Sequence, residues 1–159
     1  MYKYCLFNKV PSDFTFIRNG KFSHERASNH MTILDRIRTK NEKNRPLLGC
    51  KLGLCLHVTK ETSVLVMTAK GLGVKIALCS ANPLSAQEDI AAFISFEGVI
   101  TFAWKEGTIK EYKECIRQVL KFQPHNLTDD CAELHIAARK SKIKNIHGGT
   151  EETNSGIKG

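Results

Sequence analysis

Short apolar runs alternate with helix-like segments from Gly49 onward, and this alternation is the feature that most constrains the fold. Each run is followed by a polar turn and then by a stretch with a helical apolar period, at intervals of about 20 to 25 residues. The predicted strands are Lys51–Val58, Val74–Cys79, Val99–Trp104, His125–Thr128 and Ile143–His147. Because helices link consecutive strands, neighbouring strands are expected to be parallel. The sequence therefore predicts an α/β fold: an open, mostly parallel, Rossmann-like sheet of about five strands flanked by helices, after an N-terminal helical or irregular extension.

The chain of 159 residues is long enough for one domain with one core. Residues 1–30 mix aromatic and polar side chains without a sustained period, so we expect an irregular segment there. Residues 31–152 are expected to form the domain, beginning with a helix from Met31 to Lys43. The polar, glycine-containing residues 153–159 are expected to form a mobile tail.

Two helix starts carry the pattern of a capping box, in which a hydroxyl and a carboxylate three residues later satisfy each other's backbone donors. These pairs are Ser85 with Glu88 and Thr108 with Glu111. The pattern predicts that one helix begins just after Ser85 and another just after Thr108.

The sequence favours a cytoplasmic protein without a membrane segment, since no window approaches the roughly eighteen apolar residues that a span needs and the start lacks a cleavable leader. The cysteines are Cys5, Cys50, Cys55, Cys79, Cys115 and Cys131. They lack the C-x-x-C spacing, and two of them fall within predicted buried strands. We therefore expect reduced, structural thiols and no metal site.

Most of the net charge of +8 lies near the N-terminus, because residues 1–48 carry ten Lys and Arg against four Asp and Glu. Its densest part contains Arg36, Arg38, Lys40, Lys43 and Arg45. A phosphate backbone or an acidic partner would suit such a stretch, but it has no interleaved aromatics and no groove-reading motif. A solvated basic face is favoured over a nucleic-acid site.

Polar side chains follow the predicted strands at the points where the strands end. In a parallel sheet these carboxyl ends meet at one edge, and ligands bind there where the strand order reverses. The residues are His57, Thr59 and Glu61, then Asn82, Ser85 and Gln87, then Asp129 and Asp130, then Glu151 and Glu152. Acceptors and donors in this mixture suit a small polyhydroxylated ligand.

Structural explanations compete with this interpretation for several of these residues. Ser85 and Asp130 are both candidate helix caps. His57, in an otherwise apolar strand end, is more typical of a hydrogen-bonded core histidine than of a catalyst. Asp129 and Asp130 cannot both be buried without partners, which favours a ligand-facing role for one of them. The sequence has no G-x-G-x-x-G, no Walker loop and no nucleophile elbow.

Five blocks of sequence at these turns resemble the S-adenosylhomocysteine hydrolase (adenosylhomocysteinase) family. They read LHVTKETSVL, CSANPLSAQEDIAA, FAWKEGTIKEY, TDDCAEL and GGTEETNSGI, in unbroken order between about Met31 and Ile157. Members of that family have a substrate-binding domain, a separate Rossmann domain for NAD and a C-terminal tail that completes a neighbouring subunit. The resemblance covers only the first part of the substrate-binding domain.

The resemblance implies a role for each matching residue. His57 would assist catalysis around the 5′ position and Asp130 would act in proton transfer. The substrate-binding residues would be Thr59 and Glu61 at adenine, Glu152 at the ribose hydroxyls, and Gln87, Asn82 and Ser85 along the pocket. In the family, NAD oxidises the ribose 3′-hydroxyl, homocysteine is eliminated, water adds, and the ketone is reduced back.

The sequence departs from the family pattern at two of these blocks. The threonine triplet that faces the nicotinamide in the family reads Thr153, Asn154, Ser155 here, and the glycines after the paired aspartates are replaced by Cys131 and Ala132. The printed sequence also stops at Gly159, before the family's NAD domain. We therefore expect no cofactor to be bound by this chain alone.

The sequence thus predicts a truncated adenosylhomocysteinase-like protein that binds adenosine or S-adenosylhomocysteine, and that hydrolyses the latter only if another chain supplies the NAD domain. The alternative is a non-enzymatic protein that docks on a full-length homologue or a methyltransferase. Self-association is a third expectation, because a partial domain leaves apolar surface uncovered.

Overall fold

The computed structural model describes residues 10–157. Along the chain the elements are α1 (Phe14–Ser28), α2 (Thr32–Asn41), β1 (Lys51–Leu56), α3 (Lys60–Gly71), β2 (Lys75–Ser80), a 3-10 turn (Pro83–Ser85), α4 (Glu88–Phe96), β3 (Ile100–Phe102), α5 (Ile109–Lys121), β4 (Asn126–Asp129), α6 (Glu133–Lys140), β5 (Gly148–Glu151) and α7 (Asn154–Ile157). Among the described helices, none is long and apolar enough to cross a membrane. The architecture is α/β, as the sequence predicted.

The five strands form one parallel sheet in the order β3-β2-β1-β4-β5. The chain builds outward from β1 through β2 to β3, then returns through α5 and continues on the other side of β1. The strand order therefore reverses between β1 and β4, the position at which open α/β sheets bind ligands.

Alternate residues of the central strands pack into two separate apolar layers. Leu54 and Leu56 of β1 face the layer under α3 and α4, whereas Cys55 faces the layer under α5 and α6. All three are nearly inaccessible to solvent. Both faces of the sheet are covered, which explains why β1 and β2 read as continuous apolar runs.

One of the two predicted capping boxes is present. Thr108 and Glu111 exchange hydrogen bonds at the start of α5 as expected. Ser85, however, ends the 3-10 turn, and α4 begins at Glu88 without a side-chain cap. The Ser85–Glu88 box is therefore wrong, because Ser85 has other partners.

The N-terminal segment and the last strand also differ from the sequence prediction. Instead of an irregular segment, α1 packs on α4 through Gly20, where an added Cβ would lie 2.0 Å from the Asp89 carbonyl oxygen. The only buried residues of α1 are Gly20 and Ala27, so the helix shows no large apolar period.

The fifth strand is Gly148–Glu151, not Ile143–His147. Ile143 and Ile146 pack against the second apolar layer from the preceding loop. The strand itself is mostly exposed and is held by its backbone ladder to β4. The apolar residues used to predict the strand therefore belong to the loop that precedes β5, and not to β5 itself.

Candidate functional site

The residues that follow β1 and β4 lie side by side at the point where the strand order reverses. Cys55 of β1 is in register with Asp129 of β4, so His57 and Asp130 emerge from adjacent strands. The Asp130 backbone N–H donates to the Cys55 carbonyl oxygen at 3.0 Å, which extends the ladder to the sheet edge. This edge position is what the strand-end pattern of the sequence predicted.

His57 and Asp130 form the central pair of the site. The His57 Nε2 and Asp130 Oδ2 atoms are 3.1 Å apart, with side chains 43% and 10% exposed respectively. The aspartate is thus largely removed from water while the imidazole faces the open edge. A histidine held by a buried carboxylate has the geometry of a general acid or base.

Ser85 holds the opposite side of the imidazole ring. Its Oγ atom is hydrogen-bonded to His57 Nδ1. The turn that presents Ser85 is itself capped by Asn82, whose side-chain oxygen accepts from the Leu84 N–H at 2.9 Å. Ser85 and Asn82 therefore organise the wall of the site beside His57.

Three more of the predicted residues frame this wall. Thr59 caps α3 by accepting from the Thr62 N–H at 3.3 Å. The exposed Glu61 carboxylate follows in the first turn, 3.8 Å from Lys60 Nζ. The Gln87 N–H donates to the Val58 carbonyl oxygen at 3.0 Å, joining the loops after β1 and β2, and its side chain is exposed. Thr59 thus has a structural role, whereas Glu61 and Gln87 are accessible from solvent.

Glu151 and Glu152, at the end of β5, have pKa values shifted in opposite directions. Glu152 is exposed next to the central pair, and partial burial together with the negative charges of Asp130 and Glu151 raises its pKa, against a smaller opposing effect of His57. For Glu151, desolvation alone would raise the pKa, but hydrogen bonds from Thr153, Cys131 and Ala132 outweigh it and hold the pKa below its ordinary value. Glu151 is therefore stabilised as a carboxylate, and Glu152 is not.

Glu151 clamps the turn between β4 and α6. Its two carboxylate oxygens accept from the Cys131 and Ala132 N–H groups at 2.9 and 3.0 Å. Both residues adopt a left-handed backbone, with φ values of 80° and 61°. These are the two positions at which the family pattern has glycine, so the clamp holds a turn that suits glycine better than the residues present.

Asp129 supports the same turn from below. It is fully buried and accepts from the N–H groups of Asp130 and His135 at 3.0 and 2.9 Å. Burial raises its pKa, while the backbone hydrogen bond from His135 opposes that shift. The strand-end pattern included Asp129 and Glu151 without assigning either a ligand role, and His135 was not predicted. Successive strand residues face opposite sides, but which member of each acidic pair points inward depends on the strand register.

The three residues at the predicted nicotinamide position are Thr153, Asn154 and Ser155. The Thr153 hydroxyl donates to Glu151 at 2.8 Å, Asn154 is exposed at the start of α7, and the side chain of Ser155 lies outside the described residues.

The described residues do not fit the phosphates of a dinucleotide. Such phosphates bind backbone N–H groups at a glycine-rich turn before a helix. In this chain the turns 57–59, 81–87 and 130–132 contain no glycine, and the turn after β3 contains only Gly107, next to the Thr108 cap of α5. The Cys131 and Ala132 N–H groups are already bound by Glu151. The NAD of the family therefore finds no phosphate cradle at this edge.

Fold and site define a Rossmann-like α/β chain with a histidine–aspartate pair at the switch point of its sheet. The family model for S-adenosyl-L-homocysteine hydrolase matches residues 10–156, and the chain belongs to that family.

Curated relatives agree with this assignment. The chain is 42% identical over 146 residues to the adenosylhomocysteinase of Sulfolobus acidocaldarius, and equally to that of Sulfurisphaera tokodaii. It is 34% identical over 148 residues to the S-inosyl-L-homocysteine hydrolase of Methanocaldococcus jannaschii. Each alignment covers 91% of this chain but only 35 or 36% of the relative, so the chain spans about a third of the length of these proteins.

Proposed function

We propose that the carboxyl edge of the sheet binds the nucleoside part of an S-adenosylhomocysteine-type thioether, with His57 and Asp130 as its acid-base pair. The observation that carries the proposal is the 3.1 Å contact between these side chains at the reversal of strand order. Family membership supplies the ligand class.

Glu152 is the residue proposed to bind the ribose hydroxyls. A carboxylate accepts hydrogen bonds from two neighbouring hydroxyls, as a ribose diol requires. Glu152 is exposed and within electrostatic reach of both Asp130 and His57. Donating hydroxyls would stabilise its ionised form, which is disfavoured in the free chain.

The proposed base site lies beside the start of α3, where the exposed Glu61 carboxylate is an acceptor for an amino group or ring N–H. Relatives named for adenosyl and for inosyl substrates both match the chain, and these purines differ in the hydrogen-bonding group at position 6. We therefore propose a purine nucleoside as the ligand. The binding test decides whether its base is adenine or hypoxanthine.

Hydrolysis is proposed only where a dinucleotide-binding domain is present, whether from a longer protein or from a second chain. When bound there, NAD would supply the redox chemistry at the ribose. The part played by this chain is to bind the nucleoside, to orient it, and to move a proton at His57.

Thermal unfolding with and without ligand tests the binding proposal, since a ligand specific for the folded state raises its stability, by about 2.7 kcal/mol at a hundredfold excess over Kd. Adenosine, inosine and the two homocysteine conjugates are compared. We expect a raised midpoint that Asp130→Asn and Glu152→Gln abolish. Glu97→Gln is the control, because Glu97 lies at the C-terminal end of α4, away from this edge. An unmoved midpoint with all four ligands would refute the proposal.

A second candidate, docking on a full-length homologue, a methyltransferase or another copy, is favoured by one observation. The N-terminal helices expose large apolar side chains, including Phe14 at 75%, Phe22 at 61% and Ile33 at 75%. Such residues are common at protein interfaces. Sedimentation of the chain alone and with a full-length homologue separates the partners, and Phe22→Ser should weaken the association.

A further inference from the structure

The Ser85 hydroxyl lies within hydrogen-bonding reach of two acceptors but has only one proton to donate. One acceptor is His57 Nδ1 and the other is the Asn82 carbonyl oxygen, 2.9 Å away. Where that proton goes decides which nitrogen of the imidazole is protonated, and therefore what His57 presents to Asp130.

The Asn82 carbonyl oxygen already has two other donors. The Ser80 hydroxyl donates to it at 2.7 Å and the Ser85 backbone N–H at 3.1 Å. They occupy its two lone pairs, so a third hydrogen bond to this oxygen is weaker than one to an unprotonated Nδ1. With a neutral ring, the Ser85 proton therefore goes to Nδ1.

The other side of the ring selects the same tautomer. Asp130 Oδ2 lies 3.1 Å from Nε2, and a carboxylate only accepts hydrogen bonds. Nε2 must then carry the ring proton, because two facing lone pairs would repel each other. Ser85 and Asp130 thus both favour the neutral tautomer in which Nε2 is protonated and Nδ1 is not.

The same hydroxyl also serves the doubly protonated ring. In an imidazolium Nδ1 becomes a donor, so Ser85 Oγ accepts from it and turns its own proton to the Asn82 carbonyl oxygen. Ser85 therefore keeps a partner for Nδ1 in both protonation states. Asp130, which contacts the ring, and Glu152, which interacts with it electrostatically, are both carboxylates and offer Nδ1 no donor.

We propose that Ser85 is a positioning residue for His57, reorienting its hydroxyl so that Nε2 stays aimed at Asp130 while the ring gains and loses a proton. This assigns Ser85 to the imidazole, whereas the family resemblance placed it along the ligand pocket. The inference rests on the proposed function only for its consequence in catalysis, since the proton positions concern the ligand-free chain.

Nitrogen NMR of the His57 ring in the ligand-free chain tests the proposal. The ring signals are assigned with His57→Gln. For the neutral ring we expect a single Nε2–H tautomer, with the Nδ1 signal at the position of an unprotonated but hydrogen-bonded nitrogen. Ser85→Ala should shift the Nδ1 signal downfield, toward a nitrogen without a donor, and Ser85→Thr should restore it.

Ser63→Ala is the matched control. It removes a serine hydroxyl that is hydrogen-bonded to a different imidazole, that of His24, so the Nδ1 signal of His57 should not move. An Nδ1–H tautomer in the wild-type chain overturns the proposal without any variant. So does an unchanged Nδ1 signal in folded Ser85→Ala, or a failure of threonine to restore it. Ligand binding is measured separately by the unfolding midpoint, so either proposal can fail alone.

Discussion

The two halves of the sheet are held together by different forces. β1 and β2 pair over six residues, lie almost entirely out of solvent, and pack between apolar layers. β4 and β5 are four residues each, and β5 is mostly exposed. What fixes this second half is a set of polar contacts around Glu151 and Asp129. Burial specifies the first half, whereas the second half combines fewer buried side chains, such as Leu127 and Leu134, with individual hydrogen bonds.

The candidate site lies on the boundary between these halves. His57 follows a strand of the apolar half, and Asp130 follows a strand of the polar half. The buried strand β1 positions the imidazole of His57. The turn that Asp129 and Glu151 hold by hydrogen bonds positions the Asp130 carboxylate opposite it. The geometry of the pair therefore depends on the weaker half, which is where perturbations should affect function first.

Leu54→Ala should give the largest loss of stability, about 3 kcal/mol, because it opens a cavity in the apolar half. Leu54 is 1% exposed in the central strand. Thr150→Ala in β5 is the control and should cost less than about 1 kcal/mol, since Thr150 is exposed and loses one hydroxyl contact. Urea unfolding measures both. Equal losses would contradict the difference between the halves.

Glu151→Gln should cost about 2 kcal/mol, because the charged acceptor shared by Cys131, Ala132 and Thr153 is lost. Since the folded pKa of Glu151 lies below its ordinary value of 4.5, its contribution is complete above that pH and is lost as the pH falls through the folded value. Urea unfolding of both proteins between pH 3 and pH 8 checks this. A difference that persists at the acid end would show that the charge is not what stabilises the turn.

The same difference explains what the sequence could predict. The strands of the apolar half follow from burial and period, so the ends of β1 and β2 lie within two residues of their predicted bounds. The strand-end rule also selected His57 and Asp130, because it needs only the positions at which the strands end. The inward-facing Glu151 and the position of β5 depend on pairing with β4, which no local pattern encodes. Similarly, α1 packs through Gly20, whose lack of a side chain leaves no apolar signal.

Cys131→Gly and Ala132→Gly should each stabilise the chain by about 0.5 to 1 kcal/mol. A left-handed residue with a Cβ costs about 1 to 2 kcal/mol, and the greater freedom of unfolded glycine offsets part of the gain. Ala137→Gly within α6 is the control, and there the same change should destabilise by about 1 kcal/mol. If both turn variants were destabilised like the control, the side-chain contacts of Cys131 and Ala132 would outweigh the cost of their left-handed backbone.

Glu152→Gln should have the smallest effect on stability, and its sign should be opposite to that of Glu151→Gln. The folded pKa of Glu152 lies above 4.5, so the folded chain binds the proton more tightly than the unfolded chain does, and stability falls as the pH rises through that interval. At pH 7 the substitution removes this unfavourable charge. We expect a gain of no more than about 0.5 kcal/mol, because the side chain is exposed and screened.

That gain should vanish below pH 4.5, where wild-type Glu152 is itself neutral. Salt provides a further check, since screening by added electrolyte should shrink the gain at pH 7. With adenosine present the order should reverse, because the wild-type carboxylate is then needed by the ribose hydroxyls and the variant loses the ligand-induced rise in midpoint. A variant that is more stable alone but less stable with ligand would mark Glu152 as a binding residue held at a cost to the fold. If the variant were stabilised equally with and without adenosine, Glu152 would not belong to the proposed site. The residue that binds the ribose beside the His57–Asp130 pair would then be unassigned.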